Sequence, residues 1–260
     1  MIKSTLLWEI SKVGLESSSY IFGTMHVRDA GAFEHVESAI NVLYKCQRLR
    51  CEIDIDDMTS ISPSLYLLPH GNTLENYMSK KQLDKISTIL HKAFDFDLYK
   101  HSPLLPLLTI NKITECVLSK QYIKSLDAHI WEKAKSLKME CSGIESLEEQ
   151  ISILRNIPID LQVKMLKDLS RDVRKFQESV SQLRKLYINQ DIKRLYKLTK
   201  KSLGSLRREM LYKRNVIMAN RIADEMSNIK TFYAVGAAHL YGEKGILTLL
   251  KRQNLKITGL

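Results

Sequence analysis

At 260 residues, with 44% hydrophobic and 27% charged side chains and only 10 Gly and 5 Pro, the chain can bury a full core. That composition excludes collagen-like, low-complexity and largely disordered classes. No apolar run approaches the roughly 18 residues of a membrane span, and the formal net charge is +11.

In chain order, Leu6–Ile10 and Tyr20–Phe22 read as two strands joined by a Ser- and Gly-rich turn over Gly14–Ser19. The opening lacks the long apolar stretch and cleavage site of a signal peptide, so a cytoplasmic location is expected. A loop follows His26, then a helix over Glu34–Cys46 and a third strand over Arg48–Ile55. Thr59–Gly71 is loop-like, with Pro63 and Pro69. Helices then dominate, over Ser79–Lys92, Pro106–Ser119, Asp127–Leu137, Leu147–Arg155, Pro158–Ile188, Ile192–Lys201 and Leu206–Met226. A short strand over Glu140–Ile144 returns to the sheet, and Asn189-Gln-Asp191 is the turn of a helical hairpin. Lys230–Val235, Gly242–Gln253 and Leu255–Leu260 close the chain as strand, helix and edge strand. The four cysteines (Cys46, Cys51, Cys116, Cys141) lack C-x-x-C spacing and sit in apolar stretches, so four buried reduced thiols are expected.

The fold class expected is α/β (α+β): a mixed central sheet built from both termini, with a large helical insertion packed over it. As one domain, its sheet core covers about residues 1–58, 139–146 and 229–260, and the insertion about 72–138 and 147–228.

Lys164 to Arg214 holds 16 Lys or Arg against five Asp or Glu, an excess equal to the whole net charge. Nucleic acid or an anionic membrane is one reading of such a stripe. The other is the solvated face of a long amphipathic helix, and the seam Leu166, Leu169, Val173, Phe176, Val180, Leu183, Tyr187 favours it.

A short signature occurs twice. Tyr20-Ile-Phe-Gly-Thr-Met-His26 and Phe232-Tyr-Ala-Val-Gly-Ala-Ala-His239 both read as apolar strand, then Gly-x-x-His. Gly23 and Gly236 supply φ freedom and room for close backbone approach. The histidines stand where open α/β sheets place their ligands, beyond the strands' carboxyl ends. Glu52 and Glu145 follow strands in the same way. Two imidazoles and a carboxylate suffice to ligate a catalytic divalent metal, and a second carboxylate is then available as general base. Zinc, manganese and cobalt all suit such a donor set. His35, His70, His91, His101 and His129 lack strand-end placement and read as structural or surface residues.

These residues resemble the TraB/GumN family, which includes the Tiki-type proteases and is distantly related to erythromycin-esterase-like and ChaN-like proteins. The resemblance runs through Leu6-Leu-Trp-Glu-Ile, Ser19 to Val27, Glu52-Ile-Asp54, Leu126-Asp127-Ala128, Gly143 to Gln150, Arg214-Asn215 and Phe232 to Leu250. It implies a metal-dependent hydrolase, with His26, His239 and Glu52 at the metal, which is manganese or cobalt in the Tiki-type members. Tyr241 departs from the proline common after His-Leu in that family.

Other roles stay open between two readings. Glu145 is a second carboxylate or a helix cap; Arg214 stabilises an oxyanion or binds a substrate carboxylate, or is one more solvated cation. Asn215 orients a ligand or bonds a loop carbonyl, Asp127 caps its helix or reaches the site, and Gly242 is structural support. A peptidase acting on a peptide or small-molecule substrate is the first functional expectation. A metal-independent esterase-like hydrolase and a non-catalytic peptide- or haem-binding protein are the alternatives, and a homodimer is an expected assembly.

Overall fold

The computed structural model describes residues 5–59, 62–118 and 121–260. Residues 1–4 of the opening, residues 60–61 of the expected loop and Ser119 at the end of the expected Pro106–Ser119 helix lie outside the described residues. In chain order the elements are β1 (Leu7–Lys12), β2 (Ser19–Thr24), α1 (Val36–Leu43), β3 (Arg48–Cys51), α2 (Lys80–Phe94), α3 (Pro106–Val117), α4 (Leu126–Ser136) and β4 (Glu140–Gly143). There follow α5 (Leu147–Asn156), α6 (Ile159–Arg171), α7 (Val173–Ile188), α8 (Ile192–Leu203), a π-helical turn (Arg208–Lys213), α9 (Arg214–Glu225), β5 (Thr231–Gly236), α10 (Ile246–Arg252) and β6 (Leu255–Gly259). Among the described residues no helix is long and apolar enough to cross a membrane.

Two compact units emerge. The first, Met1–Thr59, Lys120–Leu147 and Leu183–Leu260, carries the sheet; the second, Ser60–Ser119 and Glu148–Gln182, is helical. In the second unit, Leu83, Ile86, Leu90 and Phe94 of α2 recur at helical spacing and are buried with Ile113, Val163, Leu166 and Leu169. Ser79 and Gln82 close a capping box at the start of α2.

The sheet of the first unit has the order β4-β3-β5-β2-β1-β6. β4, β3, β5 and β2 run parallel, and β1 pairs antiparallel with both β2 and β6. The mixed α/β class read from the sequence is therefore present. Phe232, Tyr233, Ala234 and Val235 of the central β5 are all buried, the continuous apolar run of a parallel strand covered on both faces. β2 and β5 are paired residue by residue, with Gly23 opposite Val235 and Thr24 opposite Gly236. Segments more than 200 residues apart thus end side by side, and the four parallel strands finish on one edge of the sheet.

Several expectations are corrected. The single helix over Pro158–Ile188 breaks at Asp172, whose backbone leaves helical geometry at φ −138° and ψ 68°. The Asp172 carboxylate accepts from the Lys175 N–H at 3.1 Å and so opens α7 as a cap rather than continuing α6. The helix expected from Leu206 contains the π turn before α9. Strand β3 stops at Cys51, and Asp54 bends the chain away by accepting from the Asp56 N–H. Of the four free thiols only Cys46 and Cys51 are buried; Cys116 and Cys141 are partly exposed.

Arg50 on β3 is buried and donates through Nε to Glu225 Oε1 at 2.7 Å, at the end of α9, and through Nη2 to Glu140 Oε1 at 2.6 Å on β4. Tyr233 also donates to Glu225, at 3.2 Å. Removing one member of a buried ion pair strands its partner. Arg50→Leu is expected to cost about 3 kcal/mol in urea unfolding, and the double variant Arg50→Leu/Glu225→Leu to recover most of that loss. Equal losses in the two variants would show that the pair does not tie β3 to α9.

Candidate functional site

All the residues at issue belong to the first unit and follow the carboxyl ends of its parallel strands. β2 leads to His26, β3 to Glu52, β4 to Glu145 and β5 to His239. Asp127 comes from the first turn of α4, and Arg214 and Asn215 open α9, directly after the π turn. Such π turns recur at functional sites.

Glu52 is the centre. It is 6% exposed. Its Oε2 accepts from Arg214 Nη2 at 2.5 Å, and its Oε1 accepts from the Gly236 N–H at 2.5 Å. His26 Nε2 lies 4.0 Å and His239 Nε2 3.8 Å from that same Oε1. Both imidazoles of the repeated motif therefore turn their ε nitrogens toward one carboxylate oxygen.

Each ring has an oxygen behind it, hydrogen-bonded in the case of His239 and at ion-pair distance in the case of His26. His26 Nδ1 lies 2.7 Å from Asp127 Oδ2. His239 Nδ1 lies 2.5 Å from Asn215 Oδ1, while Asn215 Nδ2 donates to the Lys244 carbonyl at 2.7 Å. With its amide nitrogen committed to a carbonyl, Asn215 offers its oxygen as acceptor. His239 then carries its proton on Nδ1 and presents a free lone pair on Nε2.

The electrostatics follow from burial and charge. Burial alone would raise the Glu52 carboxyl, but Arg214, the two imidazoles and the Gly236 N–H outweigh it and hold the acid well below its usual range. Burial also pushes His239 down to about 4, which keeps it neutral at physiological pH. His26 moves the other way, because the Asp127 carboxylate favours the imidazolium; its 59% exposed side chain leaves that attraction screened by solvent. Arg214 resists deprotonation because Glu52 and Glu145 outweigh its desolvation.

Three side chains left open between two readings take definite partners here. Glu145 pairs with Arg214: it accepts from Arg214 Nε at 2.9 Å and Nη2 at 2.6 Å, and its side chain is 1% exposed. Arg214 is no solvated cation, and its Nε and Nη2 go to the two glutamates rather than outward. Asp127 reaches the site, whereas Ser125 caps α4 by accepting from the Ala128 N–H.

The glycines of the two motifs have a steric purpose. Neither lies at positive φ, so φ freedom is not what they supply. A Cβ on Gly236 would lie 2.9 Å from Glu52 Oε1, and one on Gly23 would lie 2.8 Å from Leu240 Cδ1 and 3.1 Å from Ala237. Gly242 does need its freedom, at φ +105°, and a Cβ there would meet the Tyr196 ring. Two positions escape sequence reasoning. One is Gly143, where a Cβ would fall 2.5 Å from the Glu145 carbonyl oxygen and 2.6 Å from the Asp54 nitrogen. The other is the Thr24 hydroxyl, buried opposite Gly236 in the sheet register without a hydrogen-bond partner among the described residues.

His26 Nε2, His239 Nε2 and Glu52 Oε1 match in kind what a divalent ion takes, with the rear nitrogens anchored by Asp127 and Asn215 as metal-bound histidines require. Their spacing is wider than coordination, since two ligands of a tetrahedral ion sit about 3.4 Å apart. Among the described residues no three His, Cys, Asp or Glu side chains gather tightly enough to hold a metal as they stand.

Comparison with known proteins finds relatives that align along nearly the whole chain. Metalloprotease TIKI1 of Xenopus tropicalis is 22% identical over 308 aligned positions, covering 96% of this chain and 60% of its own. Metalloprotease TIKI2 of Danio rerio is 23% identical, with 98% and 60% covered. Metalloprotease TIKI1 of Homo sapiens is 22% identical, with 98% and 61% covered. The chain thus spans about three fifths of the length of the curated relatives it matches. No solved structure matches it. The TraB/PrgY/gumN family pattern matches residues 6–259, from the first strand through the last, and the chain belongs to that family.

Proposed function

We propose that this protein is a metal-dependent hydrolase, and specifically a peptidase, working at the centre formed by His26, His239 and Glu52. The observation that carries the reading is the convergence of both imidazole Nε2 atoms on Glu52 Oε1 while Asp127 and Asn215 hold the opposite nitrogens. Charge supports it as well. Glu52, Asp127 and Glu145 are three buried carboxylates gathered about the Arg214 guanidinium and the two imidazoles, surroundings that favour added positive charge. The metalloprotease names of the relatives support the same class.

His26, His239 and Glu52 would hold a manganese, cobalt or zinc ion. When bound, such an ion supplies Lewis acidity and lowers the pKa of water. The residues of the chain do the rest. Arg214 holds Glu52 in place through Oε2 and leaves Oε1 facing the imidazoles. Glu145 anchors Arg214 from behind. Asn215 keeps the His239 proton on Nδ1, so Nε2 can donate its lone pair.

A second reading draws on the wide spacing of the three donors. His239, neutral and buried with Nε2 free, could act as general base without any ion. Exhaustive chelation separates the two: loss of peptide hydrolysis that returns with manganese, cobalt or zinc supports the metal reading, and full retention supports the base.

Metal analysis of the purified protein is expected to show about one equivalent of a divalent ion, and none in His26→Ala/His239→Ala. Equal metal content in both proteins sinks the reading. Asn215→Ala is expected to weaken metal affinity roughly 10- to 100-fold, the usual effect of removing a partner behind a ligating histidine. Because Asn215 is fully buried, the melting temperature of Asn215→Ala is measured alongside, and a loss of metal affinity in a variant that stays folded is the expected result. Gly236→Ala should abolish hydrolysis with little loss of helical circular dichroism, by pressing a methyl against Glu52 Oε1.

A further inference from the structure

Directly after His239, the chain forms one wall of a cleft of about 520 Å³ in the first unit, between α8, the π turn and the start of α10. That volume is within the ordinary range for small-ligand sites. Tyr196, Tyr212 and Tyr241 line it, with Lys200, Lys244 and Glu243. Tyr196 and Tyr241 meet edge to face at 6.0 Å. Lys200 Nζ lies 5.9 Å above the Tyr196 ring and Lys244 Nζ 4.9 Å above the Tyr212 ring. The wall is preformed: Gly242 at φ +105° lets the loop pack so closely on Tyr196 that no Cβ would fit.

The cleft is joined to the candidate centre by a short route. Lys244 contributes its side chain to the cleft and its backbone carbonyl to Asn215, which holds His239. Whatever fills the cleft therefore lies against the segment that orients one imidazole.

We infer that this cleft is a substrate subsite that takes a carboxylate-bearing part of a peptide, its apolar stem against the three tyrosines and its carboxylate between Lys200 and Lys244. Two ammonium groups line it against one carboxylate, Glu243, which disfavours a cationic ligand. A purely apolar group would desolvate both lysines with nothing to pair them. A carboxylate on a hydrocarbon stem satisfies rings and ammoniums together. The peptide nature of the ligand rests on the peptidase reading; the carboxylate preference rests on the cleft alone.

Fluorescently labelled octapeptides test it by anisotropy, with mass spectrometry confirming that they stay intact. One carries only a free terminal carboxylate, a second is amidated with one internal Glu, and a third is amidated with Gln in its place. At least one carboxylate peptide is expected to bind the native protein about tenfold or more tighter than the Gln peptide. That preference should vanish in Lys200→Gln/Lys244→Gln, whose fold is checked by its melting temperature. The tighter of the two carboxylate peptides identifies terminal or side-chain recognition. Equal binding of all three peptides, or a preference that survives in the double variant, overturns the subsite. A carboxylate preference in a protein found to hold no metal would leave the subsite standing and remove the metal reading instead.

Discussion

A buried carboxylate organises this molecule. Moving an ionised Glu52 out of water costs several kcal/mol unless its oxygens are paired, and the chain meets that demand from separate elements. Arg214 arrives from α9, a backbone N–H from the end of β5, and the two imidazoles from the segments after β2 and β5. Each requires a particular strand order. β5 must lie between β2 and β3, as it does, or Gly236 and both histidines could not face the residue that follows Cys51.

The same strand is tied to the same helix a second time. Arg50 and Glu52 are two residues apart on β3 and its extension, so their side chains leave the same face. Arg50 pairs with Glu225 at the end of α9, and Glu52 pairs with Arg214 at its start. The signs alternate along the strand and reverse along the helix, which sets their direction and register. Glu225, in the last turn, sits against the helix dipole. Its place is explained by Arg50 and Tyr233 rather than by helix stability.

The strands and the paired Gly-x-x-His motifs are legible in the residues alone because apolar runs and glycines are local signals. The turn at Asn189-Gln-Asp191 is legible too: Gln190 adopts φ +53° and Asp191 caps α8 by accepting from the Arg194 N–H. What escapes are choices settled by partners remote in sequence. Asp127 has the look of a cap because it stands beside an apolar run, yet Ser125 two residues earlier takes that task. Asp172 is invisible inside a seam that keeps its spacing across the break. The motif glycines invite an argument from φ, but what they exclude is a Cβ where Glu52 and Leu240 approach. Local pattern names the candidates; burial and long-range pairing assign them.

The least expected outcome concerns Arg214. An arginine beside a hydrolytic centre suggests transition-state stabilisation, for which its fork must face the reacting group. Here the fork is turned inward, with Nε and Nη2 on two carboxylates and the side chain 11% exposed. Its charge therefore serves to hold Glu52 ionised and to fix both glutamates in place. Solvent reaches the group from the opposite side, where the His26 side chain is 59% exposed while those of Glu52 and His239 are 7% and 9%. The centre is thus asymmetric. One imidazole is sealed, neutral and rigidly oriented, the other meets solvent under the pull of Asp127, and the guanidinium braces the acid between them from the rear.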